Sequence, residues 1–379
     1  MVKRRALIQI LLLASFLLAI GWLVSNVVAN LQAQNISSGF GFLNERAGFG
    51  VAQSLIEYNE DSTYGRVLVV GLLNTLAVSI AGIILASLLG FVLGVARLSQ
   101  NWIIAKLAAA YIEVFRNIPL LLQIFFLYFG VLRNLPSPRQ SFALGEVVFL
   151  NNRGIVLPAL VSGAGAVAYL IVALVAVAAA WILRKRALRI FRDTGQHVKF
   201  WTPLFGIITL SLLVAYSAVG LPFAWDIPVL KGFNYRGGVQ MIPEFAALLL
   251  ALSLYTAAFI AEIVRAGIAS VSHGQSEAAS ALGLPAPISL RYVIIPQALR
   301  VIIPPLTSQY LNLTKNSSLA VAIAYPDIVS VFAGTSLSQV GQAVEIIFTT
   351  MMIYLALSLL TAYLMNRYNN HTALVGRNV

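Results

Sequence analysis

The side chains of this chain that are best suited to chemistry are polar groups embedded in apolar sequence. Glu262 and Arg265 are three residues apart, which places them on one face of a helix. Ionisable groups in a membrane-length apolar segment are costly unless they pair or line a water-filled path. The stretch NLTKNSS, Asn312 to Ser318, interrupts a second apolar run with hydroxyl, amide and ammonium groups. Both places are candidates for polar contacts inside an apolar environment.

The sequence lacks the residue sets that nucleotide hydrolysis, metal binding and nucleophilic catalysis require. No G-x-x-x-x-G-K-[ST] phosphate loop is present, so we expect no ATP binding or hydrolysis by this chain. There is no cysteine, and the three histidines are scattered, which excludes thiol redox chemistry and leaves no credible metal site. No Ser/His/Asp grouping argues for hydrolysis. We therefore predict no catalytic residue, no metal and no cofactor bound by this chain.

The composition indicates a membrane protein. The chain has 379 residues, of which 59% are hydrophobic and 10% charged, and its mean hydropathy is +0.87, whereas a soluble domain has about 25% charged residues. A spanning helix needs about 20 apolar residues, so roughly eight fit. The net charge is +12, but the basic residues sit in short clusters beside apolar runs, as in loops that set membrane orientation. We expect no nucleic-acid binding.

Apolar segments predict an all-α polytopic bundle of about eight transmembrane helices. Their approximate bounds are Leu7–Ala29, Tyr64–Ala96, Leu107–Leu132, Gly154–Leu183, Trp201–Pro222, Pro243–Ala266, Pro296–Ala324 and Ala343–Met365. A basic cluster after the fourth segment marks the cytoplasmic side most firmly; it comprises Arg184, Lys185, Arg186, Arg189, Arg192 and Lys199. Counting crossings from this anchor puts both chain ends in the cytoplasm and Asp327 to Gln342 outside.

The stretch SHGQSEAASALGLP, Ser272 to Pro285, is a polar island between two apolar segments. It begins with S-x-x-Q, a capping box in which the Ser272 hydroxyl and the Gln275 amide satisfy free backbone donors of a helix. Gly283 can take the left-handed conformation that ends a helix, and Pro285 prevents its continuation. We predict a helix of about ten residues. A helix this short is marginal alone, so it requires a contact, although a solvated loop helix is the alternative.

The sequence GQSEAASALGLPAPISLRYVIIPQALRVIIPPL resembles the EAA loop of permease subunits of binding-protein-dependent ABC importers. In that family this short coupling helix sits in a cleft of the ATPase subunit. The stretches TLAVSIAGIILASLLGFVLGVARLS, YIEVFRNIPLLLQIFFLYFGVL, TAAFIAEIVRAGI and LNLTKNSSLAVAIAYPDI are similar to its polar and general L-amino-acid members. The resemblance assigns ATPase coupling to Glu277, Ala278, Ala279 and Gly283, which match the motif directly. Gln275 of the capping box, and Leu282, which shares a helix face with Ala278 and Ala281, complete the candidate coupling residues.

The resemblance also implies a five-helix permease core to which this chain adds an N-terminal helix and an inserted helix pair. We expect an N-terminal helix and periplasmic segment over 1–63, the first part of the core over 64–132, the insert over 133–243 and the second part of the core over 244–379. The EAA loop covers about 267–295. The implied location is the bacterial inner membrane.

Candidate pathway residues follow from joining the resemblance to the polar interruptions of the apolar helices. Broken helix ends at mid-membrane can supply donors to a substrate carboxylate and acceptors to its ammonium. The candidates are Arg116, Asn117, Glu262, Lys315, Asn316, Ser317 and Ser318. Structural roles remain open for all of them: a Pro119 kink, an ion pair that only ties helices together, and hydrogen bonding at a helix break. Gly90 and Gly94 form a G-x-x-x-G pair for close packing, within the chain or against a partner permease.

The expected partners are a second permease subunit, which is a copy or a relative of this chain, two ATPase subunits that bind ATP and magnesium, a periplasmic amino-acid-binding protein and the lipid bilayer. The alternative function is an ATP-independent secondary amino-acid carrier or channel with Glu262 as a proton or ion site. The capped cytoplasmic helix and the absence of recognisable inverted repeats argue against that alternative. A membrane-embedded lipid enzyme would need an acid/base cluster that the sequence lacks.

Overall fold

The computed structural model describes residues 2–33, 38–162, 166–195, 201–219 and 223–373. Lys199, Arg377 and the predicted helix end at Pro222 lie outside these ranges. The chain divides into two compact units, which are Met1–Val131 with Glu244–Val379, and Leu132–Pro243. We refer to them as unit 1 and unit 2.

Unit 1 is helical throughout its described residues apart from short connections and the mostly irregular segment 38–63. In chain order, its first four helices are α1 (Val2–Ala33), α2 (Tyr64–Arg97), α3 (Trp102–Asn117) and α4 (Leu120–Phe125). A π-helical segment, Phe126–Val131, continues α4. The inserted unit 2 contains α5 (Ala166–Thr194) and α6 (Trp201–Val219).

After the insert, unit 1 resumes with α7 (Pro243–Ala269), α8 (His273–Ala281), α9 (Ala286–Ser289) and α10 (Ile295–Asn316). A 3-10 segment, Ser317–Ile323, extends α10, and a π-helical segment follows at Val329–Ser336. The last two helices are α11 (Leu337–Val340) and α12 (Ala343–Ala373). The predicted seventh apolar segment is therefore helical until Ala324, whose left-handed backbone ends the 3-10 segment.

The predicted third helix is broken. The sequence led us to expect one segment from 107 to 132, but α3 ends at Asn117 and the chain turns by 103° before it continues in α4. Pro119 has no N–H and disfavours a helical residue before it, and Ile118 is accordingly extended. The kink expected at Pro119 is thus a sharp turn between two separate helices.

Within the described residues, four helices are long and apolar enough to cross a membrane, or five if the bent pair is one span. They are α1, α2, α7 and α12, together with α3 and the segment that follows it to Asn134. These helices confirm a multi-pass helical protein. The predicted count of about eight spans is not confirmed, and the spanning of α5, α6 and α10 stays a prediction.

Close packing of α2 against α7 explains the G-x-x-x-G pair. A Cβ atom built on Gly90 would lie 2.7 Å from the Cβ of Ile260, and one built on Gly94 would lie 2.7 Å from the carbonyl oxygen of Ala261 and from the Cβ of Val264. These distances are far inside van der Waals contact, so only glycine permits this approach. Of the two packing roles left open, these glycines serve packing within the chain.

Residues 38–63 form a connecting segment that packs on the start of α2. Phe42 and Ala47 are buried with Tyr64 and Phe332 in one apolar cluster, and the Phe42 and Phe332 rings stack with centroids 6.2 Å apart. The Thr63 hydroxyl accepts a hydrogen bond from the Arg66 N–H and thereby caps α2. This segment is too polar to span, as expected, yet it adds two side chains to the core.

Unit 2 corrects the all-α prediction. It contains a four-stranded antiparallel sheet in the order β1-β2-β3-β8, formed by Phe142–Leu144, Val148–Asn151, Gly154–Leu157 and Val239–Met241. Two further antiparallel pairs are β4 with β5, Ala159–Ser162 with Phe223–Asp226, and β6 with β7, Val229–Lys231 with Asn234–Arg236.

The predicted fourth helix, from 154 to 183, was wrong over its first nine residues. Gly154 has a φ of +114°, and a Cβ there would lie 2.0 Å from the Met241 carbonyl oxygen, so the strand pairing requires glycine. The following stretch is rich in Ile and Val, which favour strands, and Pro158 interrupts helical hydrogen bonding. The helix begins instead at Ala166 and continues through the basic cluster to Thr194.

Candidate functional site

The helix α8 lies between α7 and α10 and ends where the sequence predicts. It spans nine residues, in agreement with the expected length of about ten. Gly283 has a φ of +71°, and the Leu284 N–H donates to the Ala279 carbonyl at 3.0 Å. This hydrogen bond satisfies a backbone carbonyl at the end of the helix, as a left-handed glycine cap does.

The predicted capping box does not form. Ser272 is the N-cap residue, but its hydroxyl makes no capping hydrogen bond. The Gln275 side chain is engaged elsewhere, because its Oε1 accepts a hydrogen bond of 3.0 Å from Gln297 Nε2. Gln297 belongs to the first turn of α10, so this amide pair connects α8 to the next long helix. The Gln275 side chain therefore bonds to a residue distant in sequence and not to the backbone at the start of its own helix.

The helix α8 is exposed except at Ala279, which is buried, and Ser276, which is half-buried. Ala279 is 3% exposed and packs inward. Glu277, Ala278 and Ala281 are exposed, and Leu282 is 78% exposed although it is apolar. The Glu277 carboxylate lies 3.2 Å from His273 Nδ1 on the same helix. An exposed face of small and apolar residues beside one carboxylate is suited to docking against a partner surface.

The structure brings Arg116 and Glu262 to the same region. Glu262 accepts two hydrogen bonds of 3.0 Å from the Nε of Arg265, three residues further along α7. The Arg116 guanidinium lies 5.1 Å from the centre of the Phe259 ring, and the charges of Arg116 and Arg97 act on Glu262. The ion pair lies within one helix and does not itself join two helices. Arg265 thus pairs directly with this half-buried carboxylate, while Arg116 and Arg97 act on it only through their charges.

The second candidate group lies where α10 passes into the 3-10 segment. Lys315 is exposed, while Asn316 and Ser318 are half-buried. Ser317 is fully buried, and its hydroxyl donates to the Thr314 carbonyl at 2.7 Å. The 3-10 segment packs against α4, which begins just after Asn117. The two helix breaks predicted to line a pathway are therefore neighbours.

Gln123 is a polar residue of this region that sequence reasoning missed. Its Nε2 donates to the carbonyls of Phe115 and Ile118 at 3.0 and 2.9 Å, which are freed by the break at Pro119. Its Oε1 is buried without a hydrogen bond to any described residue. A lone amide a few residues after a helix-breaking proline would have been the signal.

Asp327 and Asn74 were also missed. Asp327 is completely buried, and its carboxylate accepts a hydrogen bond of 2.9 Å from the Ser330 N–H near the start of the π-helical segment. Asn74 donates from Nδ2 to the carbonyls of Gln53 and Pro326 at 2.8 and 2.9 Å. Single polar residues in apolar runs are the sequence signal for both.

Stability is expected to depend on pH through Asp327, which lies between the predicted seventh span and α12. Burial raises the pKa of its carboxyl from 3.8 to about 7. Because the pKa of Asp327 is higher in the folded protein than in the unfolded chain, the stabilisation from its protonated carboxyl is fully present below about pH 4. It is lost as pH rises through about 7, and the free energy of unfolding falls by on the order of 4 kcal/mol. We expect the melting temperature of the purified protein to fall between pH 5 and pH 8.

The Asp327→Asn variant should lose most of that pH dependence, since an amide can still accept the Ser330 N–H but does not ionise. Melting curves of both proteins at matched pH values test this. An equal slope of melting temperature against pH in the variant would contradict the assignment to Asp327.

In the described part of the chain, no group of three His, Asp or Glu side chains lies close enough together to hold a metal ion.

Comparison with known proteins agrees with the resemblance noted in the sequence. Residues 82–373 match the family described as the binding-protein-dependent transport system inner membrane component. This match includes α8 and the polar residues at both helix breaks.

Three relatives match the chain over nearly its whole length. The putative amino-acid ABC transporter permease protein YhdX of Escherichia coli strain K12 is 54% identical over 375 residues, covering 99% of this chain and 95% of the relative. The general L-amino acid transport system permease protein AapQ of Rhizobium johnstonii is 51% identical, covering 97% and 92%. The glutamate/glutamine/aspartate/asparagine transport system permease protein BztB of Rhodobacter capsulatus is 43% identical, covering 99% and 95%.

The family match and these identities confirm the family resemblance seen in the sequence. They also confirm that the chain is a transport subunit and not itself an enzyme. Together with the apolar helices, they make it a multi-pass protein of the inner membrane. The chain belongs to the binding-protein-dependent transport system inner membrane component family, as one of its permease subunits.

Proposed function

We propose that this chain forms the translocation pathway of an ATP-driven importer of polar and general L-amino acids. The observation that carries the proposal is the exposed face of α8, held by the Gln275–Gln297 hydrogen bond to the start of α10. Such a helix would connect a docking surface to α10, which we propose to span the membrane. Amino acids are proposed as the substrate because the relatives AapQ and BztB are named as permeases of amino-acid transport systems.

The proposed assembly contains a second permease subunit, two copies of a separate ATPase that bind ATP and magnesium, and a periplasmic binding protein. Glu277, Ala278 and Leu282 would contact the ATPase directly, because they lie on the exposed face of α8. Gln275, Ala279 and Gly283 would position that face, through the bond to α10, the inward packing and the helix end. Both chain ends would lie in the cytoplasm.

The proposed mechanism is alternating access. Closure of the ATPase dimer on ATP would push α8, and the hydrogen bond to Gln297 would pass that movement to α10. Because α10 continues into the 3-10 segment that packs against α4, both helix breaks would move together. The pathway would open outward to receive substrate from the binding protein, and ATP hydrolysis would reset it.

Within the pathway, we propose that one group of residues contacts the ammonium of a zwitterionic amino acid and another contacts its carboxylate. Glu262 would accept from the substrate ammonium, and Arg116 with Asn117 would donate to its carboxylate near the inner part of α7. Lys315, Asn316, Ser317 and Ser318 would supply donors and acceptors at the second break. We propose that 64–132 and 244–379 form the shared permease core, with 1–63 and 133–243 as additions.

Reconstituted transport tests the function. The chain is purified with its co-expressed partner subunits, placed in liposomes, and supplied with the binding protein and radiolabelled L-amino acids. Uptake should require ATP on the side of α8, and an ATPase-dead partner should abolish it. Uptake that persists unchanged without the ATPase would contradict the proposal and favour a secondary carrier.

A further inference from the structure

The last turns of α5, in the inserted α5–α6 helix pair, have a charge pattern that packing within unit 2 does not explain. From 166 to 183, α5 contains no charged residue, and its remaining turns carry Arg184, Lys185, Arg186, Arg189 and Arg192 against Asp193. The helix is continuous over 29 residues. At 1.5 Å per residue it is about 43 Å long, which exceeds a hydrocarbon core of about 30 Å. If its uncharged part spans the membrane, the basic turns begin at the head-group layer.

Two of these cations have defined surroundings. Trp181, Arg184 and Lys185 share one face of α5 by i, i+3 and i+4 spacing. The Lys185 Nζ lies 3.8 Å from the centre of the Trp181 ring, which fixes an ammonium group over an indole. No carboxylate among the described residues forms an ion pair with Arg184, and the aliphatic part of its side chain lines a cavity.

The cavity lies between α5 and α6 and has a volume of about 520 Å³. It is lined by Ala180, Trp181, Arg184, Trp201 and Leu204, so four apolar side chains and the stem of one arginine enclose an apolar space. Both tryptophans are largely exposed, at 59% and 63%. Tryptophan is enriched at membrane interfaces because its ring is apolar and its N–H is polar.

We propose that this cavity binds an anionic phospholipid. The phosphate lies on Arg184 and Lys185, and an acyl chain occupies the apolar space between the two tryptophans. An anionic phospholipid satisfies both features, since a soluble anion would leave the apolar walls unfilled and a zwitterionic phospholipid would bring its own ammonium group beside the two cations. Basic pockets between membrane helices on the cytoplasmic side bind anionic head groups by this combination. The bound lipid anchors the α5–α6 helix pair.

Native mass spectrometry of the full chain, purified with its partner subunits, tests the site. The probes are dioleoylphosphatidylglycerol as the anionic lipid, dioleoylphosphatidylcholine as the neutral lipid, and inorganic phosphate as the soluble competitor. We expect preferential retention of phosphatidylglycerol that phosphate does not displace. Arg184→Gln should lower its affinity by about fivefold, the effect of about 1 kcal/mol for one basic residue near a membrane surface.

Matched variants separate a defined site from diffuse charge. Arg186→Gln removes the same charge from a position about 200° around the helix and should change affinity less than about twofold. Ala180→Trp fills the cavity without changing charge and should also reduce binding, whereas Ala178→Trp, at an exposed position, should not. Equal losses in Arg184→Gln and Arg186→Gln would overturn the proposal. So would equal retention of both lipids, or displacement by phosphate. Lipid retention is read without transport, so its failure is distinct from failure of the proposed function.

Discussion

Replacing Gly94 with leucine is expected to destabilise the protein severely, because α2 and α7 would be forced apart. The first atom of any side chain would lie 2.7 Å from the Ala261 carbonyl oxygen and from the Val264 Cβ. Backbone and Cβ atoms cannot rotate away as the end of a long side chain can. Overpacking a close contact costs about 1–3 kcal/mol and sometimes more, and leucine adds three further carbons to this contact.

The expected readout is a loss of monodisperse protein in detergent, or a melting temperature lower by many degrees. Gly90→Leu should act similarly, since its Cβ would meet Ile260 at 2.7 Å. Gly206→Leu is the control, because a Cβ on Gly206 in α6 has no neighbour within 4 Å. Wild-type melting behaviour in Gly94→Leu would show that the α2–α7 contact is not as close as described.

The second large effect is expected at the proposed docking face of α8. Ala278→Trp places a bulky ring on an exposed position, where it should prevent the partner ATPase from approaching while leaving the fold intact. Glu277→Gln removes the exposed carboxylate alone. We expect both variants to reduce binding-protein-stimulated ATPase activity by at least about tenfold, corresponding to about 1.4 kcal/mol of lost coupling, while ATP binding by the partner remains intact.

Comparison of two adjacent alanines separates docking from folding. Ala279 is buried, so Ala279→Trp should lower the melting temperature, whereas Ala278→Trp should not. Ser280→Ala is the control on the same helix, because its hydroxyl bonds only to the Ser276 carbonyl. If Ala278→Trp and Glu277→Gln both retain full stimulation, the exposed face of α8 is not the coupling surface.

The local sequence was sufficient to predict a structural feature wherever the interactions that decide it lie within a few residues of one another. The end of α8 follows from Gly283 and Pro285, which act on their own backbone and need no distant partner. The turn of the chain at Pro119 has the same origin. The start of α2 beside a capping Thr63 and the membrane class of the protein also follow from local pattern and composition, and the family motif around Glu277 lies in one continuous stretch.

The failures have a common physical cause, which is competition from a partner distant in sequence. Gln275 satisfies the capping-box pattern, yet its side chain bonds to Gln297. The stretch after Gly154 is apolar enough for a membrane helix, yet it pairs with strands on both sides, one of which follows the whole helical insert. An apolar run is compatible with either structure, and only the available hydrogen-bonding neighbour decides.

The sequence by itself therefore determined the membrane character, the family and the short capped helix of this protein, because each depends on composition or on contiguous residues. Only the tertiary structure decided that Gly90 and Gly94 pack on α7, that Asp327 is buried, and that the helix breaks before α4 and after α10 are neighbours. Those features depend on which surfaces meet across long separations in the chain, and apolar surfaces pack non-directionally, so many pairings satisfy the same hydrophobic pattern.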